Sequence, residues 1–338
     1  MLQAAGLASG LGAGLVAALI QLQGPALRPG ILAGSVTLPL ERAAGGDTPV
    51  LSLRSDGRPV RFLVDTGASS TLVSPDLVKR LGLASTPIPP ADFGLAGAGN
   101  GCGTLQPRRT SLPPLSLSTQ SLATQRLPTQ SPPSEAPGTL SLIGAEALVL
   151  PVGGLPPDVD GVLGAPQLRQ LPLWIDPRGS VLAFGRSALQ AADQASDGRA
   201  SNRGSGASGE VTLPLRWHRG VPLLSLVTGS RAGTVQALAD TGAEGLFVTP
   251  ELAMVLPALG SSQPLRVAGF CGEQPASWTR VQGPSLSGRR PAAPVQAILT
   301  ANPVFQALGV EAIVGQELLR PHRQLWRLEA TPPTLRLW

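Results

Sequence analysis

The chain has no tyrosine, and among its 338 residues only two are histidine and two are cysteine. His218, His322, Cys102 and Cys271 lie far apart with no ligand spacing, which leaves metal catalysis without ligands; neither a metal nor another cofactor is expected. A Gly-x-Ser-x-Gly elbow is also missing, which argues against a serine hydrolase. Charged residues make only 14%, and the net charge of +5 is scattered along the chain. The densest basic spots are Arg108-Arg109 and Arg289-Arg290, far short of the concentrated footprint that a nucleic-acid partner requires.

What is present points to a β protein. Apolar residues make 42%, enough to bury a core, and 41 Gly with 35 Pro favour short strands joined by turns. One long uncharged run, Ala4 to Leu22, would span roughly 28 Å as a helix, about one bilayer. It contains four glycines, and neither the basic residues nor the cleavage site of a typical signal peptide flank it. Residues 1–33 are read as an export signal or membrane anchor that places the protein outside the cytoplasm, with a partly buried N-terminal helix as the alternative. Gln23 to Ile31 is too short for a typical inhibitory pro-segment.

The chain then repeats itself. GSVTLPLE (Gly34 to Glu41) returns as GEVTLPLR (Gly209 to Arg216), and FLVDTGASSTLVSPDL (Phe62 to Leu77) as ALADTGAEGLFVTPEL (Ala237 to Leu252). PVLSL (Pro49 to Leu53) matches PLLSL (Pro222 to Leu226). Each copy closes on an apolar pair before glycine, at Gly164 and Gly315, followed by a tryptophan, Trp174 and Trp326. Blocks matched in the same order imply duplication. The spans read as a first lobe at 34–190, a polar linker at 191–208 and a second lobe at 209–338. The Ser- and Pro-rich excess between Thr104 and Gly138 reads as a long loop. In the first copy Val36–Leu40, Val50–Leu53 and Val60–Val64 are expected strands. Ser74-Pro75 and Thr249-Pro250 are expected to cap short helices after each Asp-Thr-Gly turn.

Two copies packed about a pseudo-twofold axis would bring residues near that axis against their own counterparts. Asp65 and Asp240 are the candidates. Two carboxylates about 4 Å apart repel by about 4 kcal/mol at an effective dielectric of about 20, so one proton is held between them. Such a pair offers a base and an acid at once.

Leu63 to Ser69 (LVDTGAS) with Val162-Leu163-Gly164, and Leu238 to Ala243 (LADTGA) with Ile313-Val314-Gly315, resemble the signatures of the retropepsin-like aspartic proteases, here in a single-chain, two-lobed form. The resemblance implies an all-β fold of two homologous β-barrel lobes and an endopeptidase that hydrolyses peptide bonds with a water activated by Asp65 and Asp240. It implies that Thr66 and Thr241 bond across the lobes, that Gly67 and Gly242 let the turns approach the dyad, and that proton sharing follows the family's known behaviour. Its partner would be a peptide or protein substrate, and the chain would act as a monomer, with membrane attachment through its N-terminus if that segment is an anchor. The alternative is a catalytically silent peptide-binding or assembly module on the same fold.

Departures from the family pattern accompany the match. With no tyrosine, the flap tyrosine of pepsin-like enzymes has no counterpart, and Glu244 stands where the first motif has Ser69, either facing solvent or perturbing the dyad. Flaps are expected in Phe93 to Gly103, with Gly97 and Gly99, and in Val267 to Gly272, with Gly269 and Phe270, both as glycine-rich hairpins. Because flap tips of retropepsin-type dimers meet above the cleft, the resemblance allows a Cys102–Cys271 disulfide; two free, half-buried thiols are the other reading.

Overall fold

The computed structural model describes residues 14–16, 18–99, 101–119, 138–151, 154–200, 209–229, 233–282, 284–286 and 293–338, and these are mostly β. In the first half, strands Pro49–Ser55 and Arg58–Val64 form a hairpin. Its turn is Asp56-Gly57, both at positive φ (47° and 79°), the conformation that Asp-Gly favours between right-twisted strands. Arg58–Val64 runs parallel to Gly161–Leu163, which in turn pairs antiparallel with Leu72–Val73. The second half repeats this with Val221–Val227, Thr234–Ala239, Ala312–Val314 and Leu246–Val248. Each Asp-Thr-Gly segment is thus the turn between a buried strand and the next, and a parallel neighbour anchors its Asp amide: Asp65 N–H to Leu163 O (3.1 Å) and Asp240 N–H to Val314 O (3.0 Å).

The expected short helices form as Pro75–Leu81 and Pro250–Val255. Ser74 and Thr249 accept from Leu77 N–H and Leu252 N–H, the side-chain cap that satisfies an otherwise orphaned amide. The first helix ends on Gly82 in the left-handed conformation, whereas the second runs straight into extended Leu256.

Six strands join the halves in the order Val211–Pro214, Thr334–Leu337, Gln324–Arg327, Leu173–Asp176, Val181–Phe184, Ile31–Pro39. At the centre Leu173 faces Trp326 and Trp174 faces Leu325, so the repeated tryptophan segments pair with each other. These strands belong to a 16-stranded sheet, and a second sheet of ten strands holds most of the remaining second half. Neither closes on itself, which corrects the expectation of β-barrel lobes: strands such as Ser85–Pro87 and Val211–Pro214 remain as free ends. One apolar cluster, including Phe62, Phe184, Leu246 and Trp326, runs through both halves.

Three further expectations change. Residues 191–200 are not an irregular linker but the end of the helix Arg186–Ala200. Ala188, Ala192 and Ala195 fall on one helical face and bury against Trp174, Leu325 and Trp338, a periodicity that the polar residues between them mask. The rest of that linker, 201–208, lies outside the described residues. Within the expected loop, Arg108–Ser111 pairs with Glu146–Val149 and Leu115–Ser118 with Thr139–Ile143; 120–137 lie outside the described residues. At the N-terminus, Gly14–Val16 and Leu19–Gln23 are strands rather than helix. Glycine weakens a helix, and here open strand edges offer partners instead. Among the described residues no helix is long and apolar enough to cross a membrane, and residues 1–13 lie outside them.

The tight alanine face sets a prediction: Ala192→Leu, overpacking a site only 1% exposed, should destabilise the fold by about 1–3 kcal/mol in urea unfolding, whereas an unchanged midpoint would contradict this packing.

Candidate active site

The two Asp-Thr-Gly turns meet. Thr66 Oγ1 donates to Ala239 O (2.7 Å) and accepts from Thr241 N–H (3.0 Å). Reciprocally, Thr241 Oγ1 donates to Val64 O (2.6 Å) and accepts from Thr66 N–H (3.1 Å). All four groups are buried, so each bond satisfies a backbone atom that water cannot reach. The exchange holds Asp65 and Asp240 against each other. Gly67 N–H donates to Asp65 Oδ1 (2.7 Å) and Gly242 N–H to Asp240 Oδ1 (2.8 Å), tying each carboxyl to its own turn. A Cβ on Gly67 would stand 2.3 Å from Asp240 Cγ, so only glycine fits there. Beneath the turns, Ala165 N–H donates to Ala68 O and Gln316 N–H to Ala243 O, which is where the Gly164 and Gly315 segments pack.

Both carboxyls are fully buried. Burial, and next the charge of Asp240, push Asp65 well above the usual carboxylate range. Burial also raises Asp240, to about 6, against the lowering pull of its hydrogen bond with Asp65 and of the Gly242, Ala243 and Gly67 amides. Both carboxyls therefore resist ionisation, and they titrate as a pair. Asp65 Oδ2 and Asp240 Oδ2 have no other protein donor.

Above the turns, the expected flap segments come together. Cys102 and Cys271 form a disulfide, with Cα atoms 4.7 Å apart and 169 residues of sequence between them. Closing a loop of that length stabilises the fold by about 5 kcal/mol in the chain-entropy model. Cys271 N–H donates to Ala98 O (2.9 Å) and Gly101 N–H to Cys271 O (2.8 Å). Gly99, at φ 106°, passes so close that a Cβ would lie 2.3 Å from the Cys271 carbonyl, and Gly97 lies beside both sulfurs. Only the second flap is a hairpin, Gln263–Gly269 with Gly272–Val281, turning at Phe270, which is buried. The first is the strand Gly94–Gly97 followed by a 3-10 turn, Cys102–Thr104, because its strand pairs with Leu19–Gln23 instead of folding back on itself.

Some residues of the site were not legible as such. Glu244 neither faces solvent nor shapes the dyad: it accepts from Asp47 N–H (2.8 Å), Thr48 N–H (2.9 Å) and Thr48 Oγ1 (2.5 Å), pinning a first-half loop to the second-half turn. Arg320 adds an ion pair to Asp47 at 2.7 Å. Gln316 donates to Thr241 O (2.7 Å), a role signalled only by its place directly after Gly315. The fourth, the N-terminal strand Leu19–Gln23, reads as an anchor in sequence and lies in the cleft in space.

Two predictions follow from this geometry. Thr66→Val strands the Ala239 carbonyl and the Thr241 amide and should destabilise the protein by about 1–3 kcal/mol for each group, while Thr66→Ser restores most of it; equal stability of Val and Ser variants in denaturant titration would contradict the grip. The second concerns pH. Unfolded aspartates titrate near 4, so between about 4 and 6 the folded dyad binds more protons than the unfolded chain. The Asp240 contribution to stability is largest below about 4 and is lost as pH rises through about 6, and raised Asp65 adds a loss of the same sign. Asp240→Asn should remove the Asp240 part of that decline while buried Asp65 keeps its own, raising Tm at pH 7 but not at pH 4, and a difference of the opposite sign would refute the raised pair.

Comparisons with known proteins agree with the first of these turns. No curated protein matches the chain. Among solved structures it is similar to conglutin gamma, a basic 7S globulin from lupine seeds, at 11% identity and a TM-score of 0.49, covering 90% of this chain and 95% of that one. It is also similar to the basic 7S globulin from soybean, at 12% identity and a TM-score of 0.44 over the same shares. Residues 51–166, which hold Asp65, Thr66, Gly67 and Gly164, match the family model described as aspartyl protease, so that part of the chain is similar to that family.

Proposed function

We propose that the protein is an aspartic endopeptidase, built as two lobes of one duplicated unit, in which Asp65 and Asp240 share one proton. The observation that carries this reading is the pair of buried carboxyls, each held by the same amide of its own turn and brought together by reciprocal threonine bonds. In this reading the ionised carboxyl of the pair takes a proton from a water lying between the two, and the protonated one gives its proton to the carbonyl oxygen of the scissile peptide. The water oxygen adds to the carbonyl carbon. Collapse then breaks the C–N bond, and the amine leaves with a proton returned through the dyad. The roof of flap segments keeps bulk water from the pair and its one reacting water, and such a site strengthens the charge effects that drive proton transfer. A module that only binds peptides has no use for two neighbouring buried carboxyls with raised pKa values, which favours the enzyme. The disulfide suits an oxidising compartment, and export to one is part of the proposal.

The test is hydrolysis of a peptide library by the full chain. Asp65→Asn and Asp240→Asn should each lower kcat by at least about a thousandfold while both remain folded, and substantial turnover by either would end the shared-proton reading. The acid limb of the pH–rate profile should fall near 6, where the dyad loses its first proton. Ala68 and Ala243, carrying no hydroxyl to stabilise the carboxylates, keep that limb high; maximal activity at about pH 3 would contradict it.

A further inference from the structure

The strand Leu19–Gln23 lies where an extended peptide must lie to meet the carboxyls. Leu19 N–H donates to Gly67 O (3.2 Å), and the Leu19 carbonyl accepts from Ser69 N–H (2.8 Å). Gln21 N–H donates to Ser69 Oγ (2.8 Å), and Ser70 Oγ to Gln21 Oε1 (2.8 Å). On its other edge the strand pairs antiparallel with the first flap, Leu19 opposite Gly97 and Ile20 opposite Ala96. Upstream, Gly14–Val16 runs parallel to the second flap, Val16 opposite Gly269. Gly14–Val16 therefore lies along the second half and Leu19–Gln23 along the first, between floor and roof. It passes beside Gly67, the residue in contact with the Asp240 carboxyl.

Its side chains fill the site as well as its backbone does. Ala18, Leu19 and Ile20 are fully buried. Leu19 packs among Leu63, Ala68, Leu72 and Ile88 of the first half. Ala18 and Ile20 turn the other way, into a cluster with Val221, Phe247, Ile298 and Phe305 of the second. That is the period-two alternation of a bound strand, with apolar pockets on both sides.

We infer that residues 14–23 are the resident ligand of the cleft: an internal peptide strand that competes with incoming peptides, and whose Ala-Leu-Ile core displays the class the cleft accepts, an extended segment with a small residue followed by two branched aliphatic ones. The peptide class rests on the peptidase reading, but occupancy does not, because displacement needs no turnover. Being tethered, the strand competes at high effective concentration and leaves only a fraction of molecules open, so it weakens apparent affinity for any peptide by that fraction.

The experiment titrates the full chain, and its Leu19→Asp/Ile20→Asp double variant, with a statine-bearing peptide containing Ala-Leu-Ile. The folded variant should bind about tenfold more tightly than the wild type, and equal or weaker binding overturns the proposal. A statine peptide with Ala-Asp-Asp in its place should bind either protein at least about tenfold more weakly, and equal binding overturns the peptide class. Since Leu19 and Ile20 are buried, the variant could fail to fold, and hydrogen exchange on the wild-type chain covers that case. Saturation with the Ala-Leu-Ile peptide should speed exchange across 14–23 by at least about tenfold while Arg58–Val64 stays protected; unchanged exchange overturns the proposal. Tighter binding by a variant that cuts no peptide would uphold the resident strand and sink the peptidase reading. Peptide cutting with the same apparent KM in variant and wild type would do the reverse.

Discussion

Everything at the centre of this molecule depends on four hydrogen bonds exchanged between Thr66 and Thr241 and the backbone of the opposite turn. A threonine hydroxyl is one of the few groups small enough to enter a turn and still both donate and accept. Each one satisfies an amide and a carbonyl that would otherwise be stranded in a dry interface. The reciprocity sets the spacing of the two turns, and the spacing sets everything else: Gly67 must lack a side chain, the Asp carboxyls must be neighbours, and the Gly164 and Gly315 segments must lie beneath.

That spacing forces a chemical consequence. Two buried carboxyls held as neighbours both resist ionisation, and burial is the largest cause of each raised pKa, ahead of the charge of Asp240 on Asp65. A site that opened to solvent would lose part of the shift. The roof over the turns is therefore part of the electrostatics, and the Cys102–Cys271 bridge with its Ala98 and Gly101 backbone bonds ties the two roof segments into one unit.

The two Asp-Thr-Gly turns are alike in their bonds but not in their neighbours. Ser69 and Glu244 hold equivalent places after the triplets. Ser69 offers its amide and hydroxyl to the N-terminal strand; Glu244 reaches out to the 47–48 loop. One short and one long polar side chain at the same place break the symmetry of the cleft, so that its first-half side receives a peptide backbone and its second-half side is braced against the other half.

Much of this was legible in the order of residues. The repeated blocks located both turns, their parallel neighbours and the capped helices, because hairpin turns, caps and buried apolar runs are written in local sequence: Asp56-Gly57, Ser74-Pro75 and Val162-Leu163 each specify their own geometry. Misread segments were those whose local pattern is weak or points elsewhere. Alanines at 188, 192 and 195 look like linker composition until Trp174 and Trp338 cover them, and the apolar run before Gln21 looks like a membrane segment until two flaps and a turn offer it strand edges. Sequence by itself determined which two carboxyls meet, since the Asp-Thr-Gly triplets stand in matched settings and the threonines that follow bond across to each other's turn. Only the tertiary structure decided what covers that pair, because a strand's partner is fixed by which unpaired backbone edges and apolar pockets the rest of the chain leaves open around it.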